Sequence, residues 1–137
     1  MTNIDIVTRL HDELNKGNHA IIDELLAEDF QDHSSHGEFK GIEAYKQYAM
    51  GTVAAFPDIH FTIFDTIAEG NKVVIRAQLT GTNSGPFMEM PPTNKKVDVA
   101  FIAIYRIEHG LIAERWLNGD DLGFSKQLGL IPDQPQH

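Results

Sequence analysis

Lys95-Lys-Val-Asp-Val-Ala-Phe-Ile-Ala-Ile-Tyr-Arg-Ile-Glu108 is followed by the short break His109-Gly110 and then by Leu111-Ile-Ala-Glu-Arg-Trp-Leu-Asn-Gly-Asp120. Both runs carry the β-branched and aromatic side chains that suit a pleated surface, and Glu108-His-Gly-Leu111 is a compact turn, so the pair predicts an antiparallel hairpin. The first run is apolar on both parities. Val97, Val99, Phe101, Ala103 and Tyr105 point to one side, and Ala100, Ile102 and Ile104 to the other, so both faces need cover. Working upstream, Ile59-His-Phe-Thr-Ile-Phe-Asp-Thr-Ile67 and the run from Lys72 to Thr82 keep the same period of two, joined through Glu69-Gly-Asn-Lys72 as a second hairpin.

Before Ile59 the period lengthens. Ile4, Val7, Leu10, His11 and Leu14 recur at helical spacing from Thr2 or Asn3, and Lys16-Gly17-Asn18 supplies the stop. A second, short helix is expected from about His19 to Ala27, and a third from about Ile42 to Ala55, before Phe56-Pro57. Phe30-Gln-Asp-His-Ser-Ser-His-Gly37 between them reads as a brief strand entering a loop. Three N-terminal helices followed by antiparallel strands define an α+β fold, with the helices over one face of the sheet around a pocket. The simplest cover for the other face is a second copy of the chain, which predicts a homodimer through the open sheet face.

The 137 residues fit one domain, 1–137, with 130–137 expected as a mobile tail. Eleven basic residues against twenty acidic ones leave a net charge of -9, which disfavours phosphate backbones and anionic membrane surfaces. Neither nucleic acid nor membrane is an expected partner. Cysteine is absent, which excludes thiolate chemistry, and the first residues do not read as a secretory signal, so a cytoplasmic protein is expected.

For chemistry the leading residue is Asp120. In a continued strand, Ile112, Glu114, Trp116, Asn118 and Asp120 share a face, so an indole and a carboxylate point the same way, where desolvation raises a carboxyl pKa toward proton transfer. An Asp at a strand end before Asp-Leu-Gly is equally an ordinary helix cap, but Asp121 suits that role better and leaves Asp120 free to face inward. Arg76 shares a strand face with Val74, Gln78 and Thr80, from which it can hold an enolate. Its alternative is a surface or dimer-rim position. Asp32-His33 and His36 have a spacing compatible with a divalent metal, yet a pocket-lining hydrogen-bonding role for His33 is the better reading, and neither metal nor cofactor is expected. Gly85-Pro86-Phe87-Met88-Glu89-Met90 reads as an apolar flap, and Phe56, Phe87, Phe101, Tyr105 and Trp116 as pocket walls.

Asp32-His33, Phe56-Pro57-Asp58, Glu69-Gly-Asn-Lys-Val-Val74, Gly81-Thr82 with Gly85, Pro91-Pro92-Thr93, Tyr105-Arg106-Ile107, Trp116 with Asp120, and Gln127-Leu128-Gly129 occur in this order over most of the chain. Together they resemble the SnoaL-like polyketide cyclases of the nuclear transport factor 2-like (ketosteroid isomerase-like) superfamily. The resemblance implies a cone with helices on a strongly curved sheet and a small apolar molecule in its pocket. It also implies intramolecular aldol chemistry without a cofactor, an acidic residue aligned with Asp120 moving the proton. His33 joins Asp120 as a catalytic candidate, with Arg76, Trp116, Asn83, Phe56, Tyr105, Phe87 and Asn118 as substrate-binding candidates. Where such cyclases read Gly-Thr-His-x-Gly, this chain reads Gly81-Thr82-Asn83-Ser84-Gly85, an amide that cannot titrate in place of an imidazole. That departure keeps other functions in competition. They are a non-catalytic module for a small hydrophobic ligand, an epoxide or ester hydrolase on the same fold, and dimerisation alone.

Overall fold

The structure is a computed structural model that describes residues 1–87 and 89–131. The chain opens with helix α1, Asn3–Asn15, started by a reciprocal capping box in which Thr2 Oγ1 accepts from the Asp5 backbone at 3.1 Å and Asp5 Oδ2 accepts from the Thr2 backbone at 2.9 Å. Ile6, Val7, Leu10 and His11 form its buried stripe. Helix α2 spans only Ile21–Leu25, shorter than the expected His19–Ala27, because Leu26 is already extended (φ -100°, ψ 144°) and begins strand β1, Leu26–Ser34. Strand β2, Gly37–Lys40, helix α3, Ile42–Ala55, and strands β3, His60–Glu69, β4, Lys72–Thr82, β5, Lys96–Glu108, and β6, Leu111–Gly119, follow, and helix α4, Asp121–Gln127, closes the order.

The six strands form one sheet in the order β2-β1-β6-β5-β4-β3. Four of the five pairings are antiparallel, including both expected hairpins, but β1 runs parallel to β6, so the sheet is mixed where a purely antiparallel one was expected. The physical reason is connectivity. β1 enters from α2 and meets β6 across most of the chain, so no tight turn forces an antiparallel return.

Burial along β5 alternates as its parity requires, with Val97, Val99, Phe101, Ala103, Tyr105 and Ile107 buried. Opposite them on β4, Val73, Ile75 and Ala77 complete a core against α1 and α3. Each large side chain buried there contributes about 1.5–3 kcal/mol from removal of apolar surface from water. The reverse face of the sheet leaves Ile67, Ile102 and Phe64 about half exposed or more, at 65%, 51% and 49%. No helix is long and apolar enough to cross a membrane among the described residues. Of the expected tail, residues 132–137 lie outside the described residues, as does Met88 of the expected flap.

Candidate active site

Between the helices and the inner sheet face lies a cavity of about 150 Å³. Leu10 and Leu14 of α1 line one side, Tyr48, Ala49, Thr52 and Val53 of α3 another, and Phe61, Leu79, Val99, Phe101 and Leu117 form the sheet wall. Phe56, Phe87 and Phe124 stand together, their ring centroids 5.7–5.9 Å apart. The segment expected as a loose flap is a tight turn in that region. Phe87 and Met90 exchange backbone hydrogen bonds of 3.0 and 2.9 Å, and Gly85 N donates to Ala55 O at 3.2 Å.

Besides His19, polar groups gather against this apolar space at two places. On its inner side Arg115 clasps Asp32 through two parallel hydrogen bonds of 2.6 and 2.8 Å, and its guanidinium lies 5.3 Å from the centre of the Tyr45 ring. Asp32 is fully buried and Arg115 nearly so. Burial opposes the Arg115 charge, but Tyr45, Asp32 and Tyr105 outweigh it and hold the group firmly cationic. Beside it, His11 Nδ1 lies 3.0 Å from Val7 O and Nε2 lies 3.2 Å from Tyr105 Oη. A carbonyl only accepts, so Nδ1 carries the proton and the Tyr105 hydroxyl donates to Nε2. Burial pushes the His11 pKa down to about 4 and that of Tyr105 up, so both are neutral at pH 7.

At the mouth stand Asp120, Asp121 and His36. Asp120, not Asp121, is the N-cap of α4, with Oδ1 accepting from Gly123 N at 2.9 Å. The strand ends at Gly119, and Asp120 lines the mouth because the chain turns there (φ -81°, ψ 74°), not because strand parity carries it inward. Nor is it packed against Trp116 in an apolar enclosure: Asp120 is exposed at the rim. Asp121 accepts a hydrogen bond from Ser35 Oγ at Oδ2, and its Oδ1 lies 3.4 Å from His36 Nε2.

Of the residues expected at the site, Asp120, Phe56, Tyr105 and Phe87 line the cavity. His33, Trp116, Arg76 and Asn118 do not, because Arg76 of β4 and, beyond the bulge beside Ile112, Trp116 and Asn118 of β6 face the reverse side of the sheet, as does His33 of β1, which pairs with Trp116. There His33 stacks on Trp116, ring centroids 5.5 Å apart, and bridges Glu38 and Glu114. The hydrogen bond to Glu114 is the main cause that raises the His33 pKa, with Glu38 adding to it. Arg76 pairs with Asp65 at 2.5 Å and covers Phe64, and Asn118 is exposed. Asn83 is buried but does not line the cavity. Its amide donates to Ala55 O and Gly85 O and accepts from Thr93 N and Thr93 Oγ1, which uses its full capacity and ties the flap to α3 and to the loop before β5. His33 and His36 part to opposite faces, so the spacing that suggested a shared metal does not bring them together.

Sequence reasoning passed over Arg115, Asp121 and Phe124 as site residues, and treated His11 only as part of a helix stripe. A histidine among Val7, Leu10 and Leu14 was the available signal for His11. For Arg115 no local signal exists, since its partner Asp32 is 83 positions away.

Comparison with known proteins places this architecture. A family model for SnoaL-like polyketide cyclases matches residues 4–128, and the chain belongs to that family. A protein assigned as a SnoaL-like polyketide cyclase from Jannaschia sp. CCS1 superposes with a TM-score of 0.86 at 27% identity, over 95% of this chain and 93% of that one. IdmH from Streptomyces antibioticus, assigned as a polyketide cyclase, gives 0.82 at 28% identity over 94% and 99%. AclR from Streptomyces galilaeus, assigned as a hydroxylase, gives 0.85 at 22% identity over 95% and 97%, a likeness of fold alone. No curated protein matches the chain significantly.

Proposed function

We propose that this chain is a cofactor-free acid/base enzyme that closes a ring in a small apolar carbonyl compound, with Asp120 moving the proton. The observation that carries the reading is an apolar, aromatic-walled cavity with Asp120, Asp121 and His36 gathered at its mouth and Arg115, His11 and Tyr105 in a buried polar patch. Hydrogen between two carbonyls is already fairly acidic, so a single carboxylate within reach can remove it. Asp120 Oδ1 is engaged by Gly123 N, which leaves Oδ2 without a hydrogen bond among the described residues. The enolate carbon then attacks a second carbonyl of the same chain. Arg115, already oriented by Asp32, offers a fixed cation to a substrate oxygen on the inner side, the part expected of Arg76. A homodimer through the face bearing Ile67, Ile102 and Phe64 belongs to the same reading.

A second reading, a non-catalytic module for a hydrophobic ligand, is favoured by the exposure of Asp120 and by its use as a helix cap. Asp120→Asn separates the two, because Asn is as good an N-cap as Asp. A synthetic β-keto methyl ester with a second ketone four carbons beyond the first can close a six-membered ring. On it the enzyme reading predicts a loss of cyclisation of about 10²–10⁴-fold in Asp120→Asn, with an unchanged unfolding midpoint. Tight binding of the ester without turnover by either protein supports the binding module.

A further inference from the structure

We infer that His36, positioned by Asp121, is a second proton-transfer residue of this site and protonates the oxygen that becomes an alkoxide in ring closure. The inference rests on the aldol reading above and adds the group that finishes it.

The β1–β2 turn and the start of α4 are far apart in sequence, yet the fold joins them at the cavity mouth. There Asp121 Oδ1 lies 3.4 Å from His36 Nε2, and its other oxygen is fixed by Ser35 Oγ. The imidazole is further held between Tyr48 of α3 and Phe124 of α4, with ring centroids 6.3 and 6.5 Å away. Facing His36 are thus Asp121 on α4 and the Tyr48 ring on α3, with Asp120 beside them on the same rim. The Asp121 carboxylate stands at ion-pair distance from Nε2 and favours the imidazolium with a proton there. Nδ1 makes no hydrogen bond among the described residues and is the nitrogen left for the substrate. An imidazole with a fixed carboxylate at ion-pair distance from one nitrogen, packed between two rings and open at the other nitrogen, is an oriented proton carrier.

The step balances. Asp120 takes the proton from carbon, and the enolate forms the new carbon–carbon bond as the attacked carbonyl's π electrons move onto its oxygen. His36 imidazolium gives its Nδ1 proton to that oxygen, leaving a hydroxyl on the ring and a neutral imidazole still turned to Asp121. The proton held by Asp120 returns to His36 through the exposed mouth, so nothing is consumed. His36 touches the reacting oxygen and is a catalytic residue; Asp121 acts through it and is a positioning residue.

The test uses the full chain and the dicarbonyl methyl ester named above. His36→Ala lowers kcat by about 100-fold with KM held within about twofold, and free imidazole, entering through the open mouth, restores the rate. His36→Asn, closer in shape, shows the same loss and guards against a folding defect in the alanine variant. Asp121→Asn lowers kcat and leaves KM, since the imidazolium loses the carboxylate that stabilises and orients it. A His36→Ala protein that cyclises at the wild-type rate, or whose loss imidazole does not restore, overturns the inference and leaves the Asp120 reading standing. Cyclisation at the wild-type rate by Asp120→Asn, with His36→Ala impaired and rescued, instead removes the Asp120 role alone. A wild-type protein that never closes the ring overturns both.

Discussion

At the scale of the residue, the buried His11 and the half-covered His33 pull the pH dependence of stability in opposite directions. His11 is held at about 4 in the fold against an ordinary 6.5. The unfolded chain therefore binds the extra proton between those values, and the stabilisation His11 gives is complete above pH 6.5 and lost as pH falls toward 4. The full window corresponds to about 3 kcal/mol. His33 is raised by Glu114 and Glu38, so its contribution is complete below pH 6.5 and is lost as pH rises through the higher folded value. Stability measured by urea unfolding is expected to peak near pH 6.5. In His11→Gln, which carries a donor and an acceptor without titrating, the acid-side slope flattens; an unchanged slope would show that His11 is not the cause. Residues were also the hardest scale to read in the sequence. Trp116 was assigned inward because it shares a strand face with Asp120, whereas Arg115 takes the inward position with Asp32, and an ion pair of such separation leaves no local mark. The same parity carried Asn118 to the wrong side, while Arg76 takes the surface position that was its alternative.

At the scale of the element, α4 holds the chemistry of the mouth in register. Asp120 caps it, Asp121 begins it and Phe124 packs beneath the ring of His36. Gly123 is required by this arrangement, because an added Cβ would stand 2.1 Å from Asp120 Oδ2. Gly123→Ala is expected to expel the carboxylate from the cap, costing about 1 kcal/mol of stability and much of the cyclisation activity. A variant as stable and active as the wild type would mean that the cap does not place Asp120. The elements were largely legible beforehand. α1, α3 and β3 to β6 were expected within a residue or two, since each has a clean period and a Gly or Pro boundary. β1 was reduced to a brief strand because Glu28-Asp29-Phe30-Gln31-Asp32-His33 is polar on both parities. Its parallel place beside β6 depends on contacts, not on pattern.

At the scale of the molecule, the reverse face of the sheet and the cavity make separate demands. Ile102 at the middle of that face is half exposed, with Ile67 and Phe64 near it. A second copy turned by a two-fold axis would cover all three. Ile102→Lys is therefore expected to convert a dimer to a monomer in sedimentation equilibrium, and a wild-type protein that sediments as a monomer would contradict the proposed dimer. The fold class and the family were legible as a whole, because eight short motifs kept their order over the chain, while the site was legible only in part. Asp120 came to the mouth through the turn after Gly119, not through the strand parity that singled it out. The central claim, that this mouth moves protons on carbon, is tested most directly by deuterium uptake at the carbon between the two carbonyls of the β-keto ester in heavy water. Wild-type protein is expected to accelerate uptake over buffer, and Asp120→Asn to lose the acceleration while unfolding at the same temperature. Uptake at the buffer rate with the wild-type protein saturated by the ester would contradict the account.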